Sequence, residues 1–141
     1  MIAYLDTSVV LRIVLMEPAP LEEWHELTTG ISSVLLRVES HCSLRRLHVG
    51  GRINALEYAR MQRDVDAITD RLDHVDLTPE TLDLATSDWP KALTTLDSIH
   101  LASATLYRQS QPPDEPPVFF ATHDLKLAEA ARAMNFRVLG V

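Results

Sequence analysis

Four acidic residues stand where a chain of alternating strands and helices would place reacting groups. Asp6 ends the apolar run Ile2-Ala3-Tyr4-Leu5, and Asp124 follows Val118-Phe119-Phe120-Ala121 by a few residues. Glu39 falls near the start of the helix expected after Ile31-Ser32-Ser33-Val34, and Asp97 opens an Ala-rich helix. Ligands of parallel sheets bind beyond the carboxyl ends of the strands, so the four carboxylates are expected to converge on one edge. Singly, each has a plainer role: Asp is a favoured helix N-cap whose charge suits the positive end of the helix dipole, and Glu39 reads as a solvated helix face. Together they would repel and raise one another's pKa unless cations filled the space. Asp97 lies in Leu93-Thr94-Thr95-Leu96-Asp97-Ser98-Ile99-His100-Leu101-Ala102-Ser103-Ala104, a segment apolar enough to predict a largely buried helix and without a Lys or Arg to neutralise the acid. With one cysteine and no H-E-x-x-H among six histidines, the donors are hard oxygens, which specify Mg²⁺ or Mn²⁺ rather than zinc. Such ions activate water and hold a scissile phosphate in line, the metal-assisted route to phosphodiester hydrolysis.

The elements that must position these acids follow from the apolar pattern. Residues 2–5 read as a strand and 9–16 as a first helix; Pro18 and Pro20 then break the chain before a second helix through Trp24 and Leu27, closed by Gly30. A strand at 31–34 feeds a helix through Leu35, Val38, Cys42 and Leu47 that ends at Gly50-Gly51. A long helix is expected over 54–72, where Tyr58, Met61, Val65, Ile68 and Leu72 form a stripe read as intramolecular core rather than a dimer seam. A strand at 74–77, a helix opened by Pro79, a helix over 97–107 and a Pro-rich loop over 110–117 come next. The strand Val118–Ala121, a helix through Leu127 and Ala131, and a strand at 136–139 complete the chain. Short apolar strands alternating with helices predict a parallel sheet covered on both faces, in one domain spanning 1–141. Cys42 and the methionines read as core filling.

Composition narrows the field. With 46% hydrophobic and 23% charged residues over 141 positions, the chain is expected to fold as one globular unit rather than a disordered or coiled-coil segment. Its four glycines make no dinucleotide or Walker loop, which excludes the commonest nucleotide-binding signatures. A net charge of −7 disfavours a general polyanion binder, although six Arg against two Glu over residues 37–63 leave one basic stretch. The N-terminus has no positive region ahead of an uninterrupted apolar run, so neither a signal peptide nor a membrane span is expected, and the lone cysteine fits a reducing cytoplasm.

Tyr4-Leu5-Asp6-Thr7-Ser8, the Glu39 helix, Leu96-Asp97-Ser98-Ile99-His100-Leu101-Ala102 and Phe120-Ala121-Thr122-His123-Asp124 occur in an order that resembles the PIN domain, specifically the VapC-type toxin ribonucleases of type II toxin–antitoxin systems. The likeness spans essentially all 141 residues. It implies a three-layer α/β/α sandwich around a short, mainly parallel sheet, and endonucleolytic cleavage of RNA. It further implies that Asp6, Glu39, Asp97 and Asp124 bind Mg²⁺ or Mn²⁺, that Ser8 and Thr122 are supporting hydroxyls, and that the protein dimerises and is neutralised by a cognate VapB-type antitoxin. Arg45, Arg46 and Arg52, which follow Glu39 in the basic stretch, are expected to hold the RNA backbone; surface ion pairs or contacts to an acidic partner are the other reading. Asp114 and Glu115, in the Pro-rich loop, read as solvated charges with an outer-sphere role as the alternative. His123 is not needed as a base beside a metal-bound water, and His100 reads as a packed or hydrogen-bonded histidine rather than a ligand.

Two other functions compete. An aspartyl-phosphate enzyme would want Asp two residues after Asp6, where Ser8 stands, and a receiver domain would want a late lysine after a strand, whereas Lys126 falls in a helix. A catalytically silent interaction module would use the same acids as helix caps and would be indifferent to divalent metal.

Overall fold

The structure, a computed structural model, describes residues 1–141. Its central strand is β1 (Ile2–Leu5), flanked by β2 (Thr29–Ser33) and β4 (Val118–Ala121), with β3 (Asp73–Val75) and β5 (Val138–Leu139) at the edges. The order is β3-β2-β1-β4-β5 and every pairing is parallel. From β1 the chain steps outward through β2 to β3, then returns to the other side for β4 and β5. β1 and β4 therefore border the switch point at which such sheets open a crevice.

Six helices cover the sheet: α1 (Thr7–Val14), α2 (Leu36–Val49), α3 (Ala55–Thr69), α4 (Pro79–Ala85), α5 (Thr95–Ser110) and α6 (Leu125–Ala133). Side chains alternate across a strand, and here both faces are apolar. Tyr4 and Phe120 pack with Leu101 and Ala104 of α5 and Leu127, Ala130 and Ala131 of α6. Ala3, Leu5 and Ala121 pack on the other face with Val9 of α1. The expected stripe on α3 is core: Met61 and Val65 are buried against Val10, Val14, Leu36 and Leu44, with Tyr58, Ile68 and Leu72 packed beside them. Asn54 caps α3 in a reciprocal box with Glu57, and Thr78 caps α4 ahead of Pro79. No helix is long and apolar enough to cross a membrane.

Several expectations need correction. The segment around Trp24 is a 3-10 turn over Glu22–Glu26, not an α-helix. Gly30 does not stop it but lies within β2, paired with Ala3, where an added Cβ would sit 2.6 Å from Leu72 Cδ2. Cys42 is exposed, because the buried positions of α2 are Leu36, Ser40 and Leu44, and a residue two places after Ser40 faces outward. Met16 is also exposed; the chain turns there with φ 55. Of the methionines, Met61 is buried and Met134 packs against the core.

Candidate active site

Asp6 follows β1 directly and is the N-cap of α1, so strand and helix together fix its carboxylate. The side chain is 4% exposed. Its Oδ1 accepts from Ser8 Oγ at 2.6 Å and from the Val9 amide at 3.3 Å, and its Oδ2 accepts from Thr122 Oγ1 at 2.7 Å. Burial pushes its carboxyl above the ordinary carboxylate range, against the Ser8 hydrogen bond, the field of His100 and the Thr122 hydrogen bond. No Lys or Arg pairs with it; the lysine and arginine ion pairs lie elsewhere, at Glu17, Asp66 and Glu129.

Glu39 stands in the first turn of α2, and its Oε2 accepts from Thr7 Oγ1 at 2.7 Å and lies 2.6 Å from His100 Nε2. His100 belongs to α5 and is buried; its other nitrogen lies 2.9 Å from the Tyr4 hydroxyl. Asp97 does not open α5. Thr94 is the cap, receiving the Asp97 amide and donating to Asp97 Oδ2 at 2.6 Å, which leaves Asp97 half-buried in the first turn. The expected burial holds for Ile99 through Thr105 and not for the acid. Asp124 is exposed and caps α6 by accepting from the Leu127 amide at 2.8 Å. Asp97 and Asp124 line one open pocket with His123 and Lys126.

All four acids thus sit at the carboxyl edge of the sheet, Asp6 and Glu39 inside and Asp97 and Asp124 at the rim. No group of three or more His, Cys, Asp and Glu side chains is gathered to hold an ion. Each acid is instead turned toward its own donors, two of them, Asp6 and Asp124, as the N-caps of α1 and α6. The donor set nevertheless fits an oxygen-seeking divalent cation: four carboxylates, none neutralised by Lys or Arg, one of them buried at a cost that its hydrogen bonds do not fully offset and a cation would relieve further.

The segment that supplies Thr122 is clamped from the C-terminus. The Thr122 amide donates to Leu139, His123 Nδ1 donates to the Gly140 carbonyl at 2.7 Å, and the His123 amide donates to Ser8 Oγ at 2.8 Å. Gly140 has φ +91, and a Cβ there would lie 2.6 Å from the Thr122 carbonyl oxygen. Gly140→Val is therefore expected to cost at least about 1–3 kcal/mol, read as a lower urea midpoint.

Arg45, Arg46 and Arg52 are exposed. At 1.5 Å per residue, Arg45 and Arg46 lie roughly 9 and 10 Å along α2 from Glu39, and Arg52 lies beyond its end. The cation that shares the pocket of Asp97 and Asp124 is Lys126, which lies outside the basic stretch 37–63. Tyr4, Thr7 and Thr94 also hydrogen-bond at the site, to His100, Glu39 and Asp97, roles that the Tyr4–Ser8 motif and the Leu93–Ala104 segment do not single out. Asp114 and Glu115 are exposed in the loop that enters β4 at its amino end, the edge opposite Asp124.

The PIN domain family matches residues 3–133. Ribonuclease VapC47 of Mycobacterium tuberculosis (strain CDC 1551 / Oshkosh) is 28% identical over 140 residues, covering 94% of this chain and 92% of its own. The crystal structure of FitAcB from Neisseria gonorrhoeae is similar with a TM-score of 0.63 at 16% identity, over 97% of this chain and 96% of that one. The structure of FitAB bound to an IR36 DNA fragment gives 0.60 at 16% identity, over 97% and 93%. At such identity the two structures bear on the fold.

Proposed function

Since this chain belongs to the PIN domain family, we propose that it is a metal-dependent endoribonuclease toxin of the VapC type. The observation that carries the reading is Asp6: a buried carboxylate without a cationic partner, at the switch point of a parallel sheet. The similarity to a ribonuclease over nearly the full length of both chains supports the substrate class. Asp6, Glu39, Asp97 and Asp124 would hold Mg²⁺ or Mn²⁺, which when bound supplies an activated water and neutralises charge at the phosphate. Ser8 and Thr122 keep the Asp6 carboxylate oriented and favour its ionised form. Lys126 is placed to receive a backbone phosphate at the pocket, and Arg45, Arg46 and then Arg52 would meet RNA continuing along α2. A cognate VapB-type antitoxin, a homodimer and a cytoplasmic setting belong to the same reading.

A silent interaction module is the second reading, favoured by the capping geometry of Asp6 and Asp124. One experiment separates the two: a structured RNA pool is incubated with protein and Mg²⁺, Mn²⁺ or EDTA, beside Asp97→Asn, while melting temperature is followed against metal. Metal-dependent cleavage, reduced about 100-fold or more in the variant, is expected. Mn²⁺ at a hundred times its dissociation constant should add about 2.7 kcal/mol of stability. No cleavage together with a flat melting temperature would establish the silent module.

A further inference from the structure

His100 lies in the most apolar part of α5, 3% exposed, where its neighbours are Ile99, Leu101 and Ala102. A buried imidazole is costly unless both nitrogens are satisfied, and here both are. Nδ1 lies 2.9 Å from the Tyr4 hydroxyl and Nε2 lies 2.6 Å from Glu39 Oε2. The Tyr4 ring is itself fixed, stacked on Phe120 at 5.5 Å and edge-on to the imidazole at 5.9 Å. Three elements far apart in sequence, β1, α2 and α5, thus meet through one side chain.

We propose that Tyr4 and His100 are positioning residues for Glu39, an inference that rests on the reading of Glu39 as a metal ligand. A carboxylate oxygen only accepts, so Nε2–H donates to Glu39 Oε2, while the Tyr4 hydroxyl on Nδ1 fixes the rotation of the ring. Thr7 Oγ1 donates to the same oxygen at 2.7 Å. Both donors fall on Oε2, so the carboxylate is held in one rotation and Oε1 is the oxygen left for a cation. Outer-sphere hydrogen bonds of this kind fix ligand orientation and are worth about 10- to 100-fold in metal affinity.

The test is Mn²⁺ affinity, measured by calorimetry on the whole chain without RNA. His100→Ala should weaken binding about 10- to 100-fold, with His100→Gln, whose amide restores a donor near Nε2, recovering most of the loss. Tyr4→Phe, which keeps the ring and its stacking, should weaken it by a smaller factor. Glu39→Gln should weaken binding as much as His100→Ala or more, and the double variant should be no worse than Glu39→Gln alone. Wild-type binding that is unchanged in His100→Ala and Tyr4→Phe, or additive losses in the double variant, would overturn the inference and spare the nuclease. A wild-type protein that takes up no Mn²⁺ would overturn both. His100→Gln and Tyr4→Phe keep the comparison available should His100→Ala fail to fold.

Discussion

Asp6→Asn is expected to lower metal-dependent RNA cleavage by about 10³-fold or more while leaving the protein folded and at least as stable as the parent at neutral pH. Loss of activity follows from removing the one buried negative charge among the four acids. Stability is retained because the amide is nearly isosteric and its oxygen can still accept a hydrogen bond from Ser8 or Thr122. The sign follows from proton linkage. Burial raises the native pKa of Asp6 above its unfolded value, so the native state binds more protons and stability falls as pH rises from the ordinary Asp range toward that raised value. Asparagine removes the slope. Melting temperatures of both proteins across the acidic range should converge at the lowest pH and favour Asp6→Asn above it. A variant that cuts RNA as well as the parent would remove Asp6 from the chemistry.

Phe120→Ala should cost about 3–5 kcal/mol, a large part of the 5–15 kcal/mol that stabilises a typical domain. Phe120 is fully buried in β4, stacked on Tyr4 and tilted against Phe136 at 5.6 Å. Its removal opens a cavity between the sheet and the α5/α6 layer, which the short strands β4 and β5 are poorly able to collapse. Urea unfolding followed by circular dichroism measures the loss. A cost below 1 kcal/mol would mean that this layer is packed more loosely than its buried side chains indicate.

Much of this architecture was legible in the residues. Asp6 and Asp124 announce themselves because each stands just beyond an apolar strand, Asp6 directly and Asp124 three residues on, and can cap the helix that follows. The α3 stripe and the Asn54–Glu57 box are equally local signals. What escaped depends on residues distant in sequence. Gly30 reads as a helix stop until Leu72 is brought against it, and Cys42 reads as core until Ser40 and Leu44 fix the inward face of α2. The Glu39–His100 contact joins positions 61 apart, and nothing near either residue hints at the other. Spacing could place four acids on one edge, but not the separate donors to which each is turned.

The hydrogen bond from Thr122 to Asp6 spans 116 residues. On the ribosome Asp6 is made before Thr122, and at typical synthesis rates about 6 to 23 s separate the two. Until then β1 has no β4 beside it, and the tail that clamps Thr122 through Leu139 and Gly140 comes later still. A truncated or still-growing chain is thus a chain without its central carboxylate in place. For a protein whose proposed target is RNA, that order of events delays the hazard until the segment through Gly140 has been made.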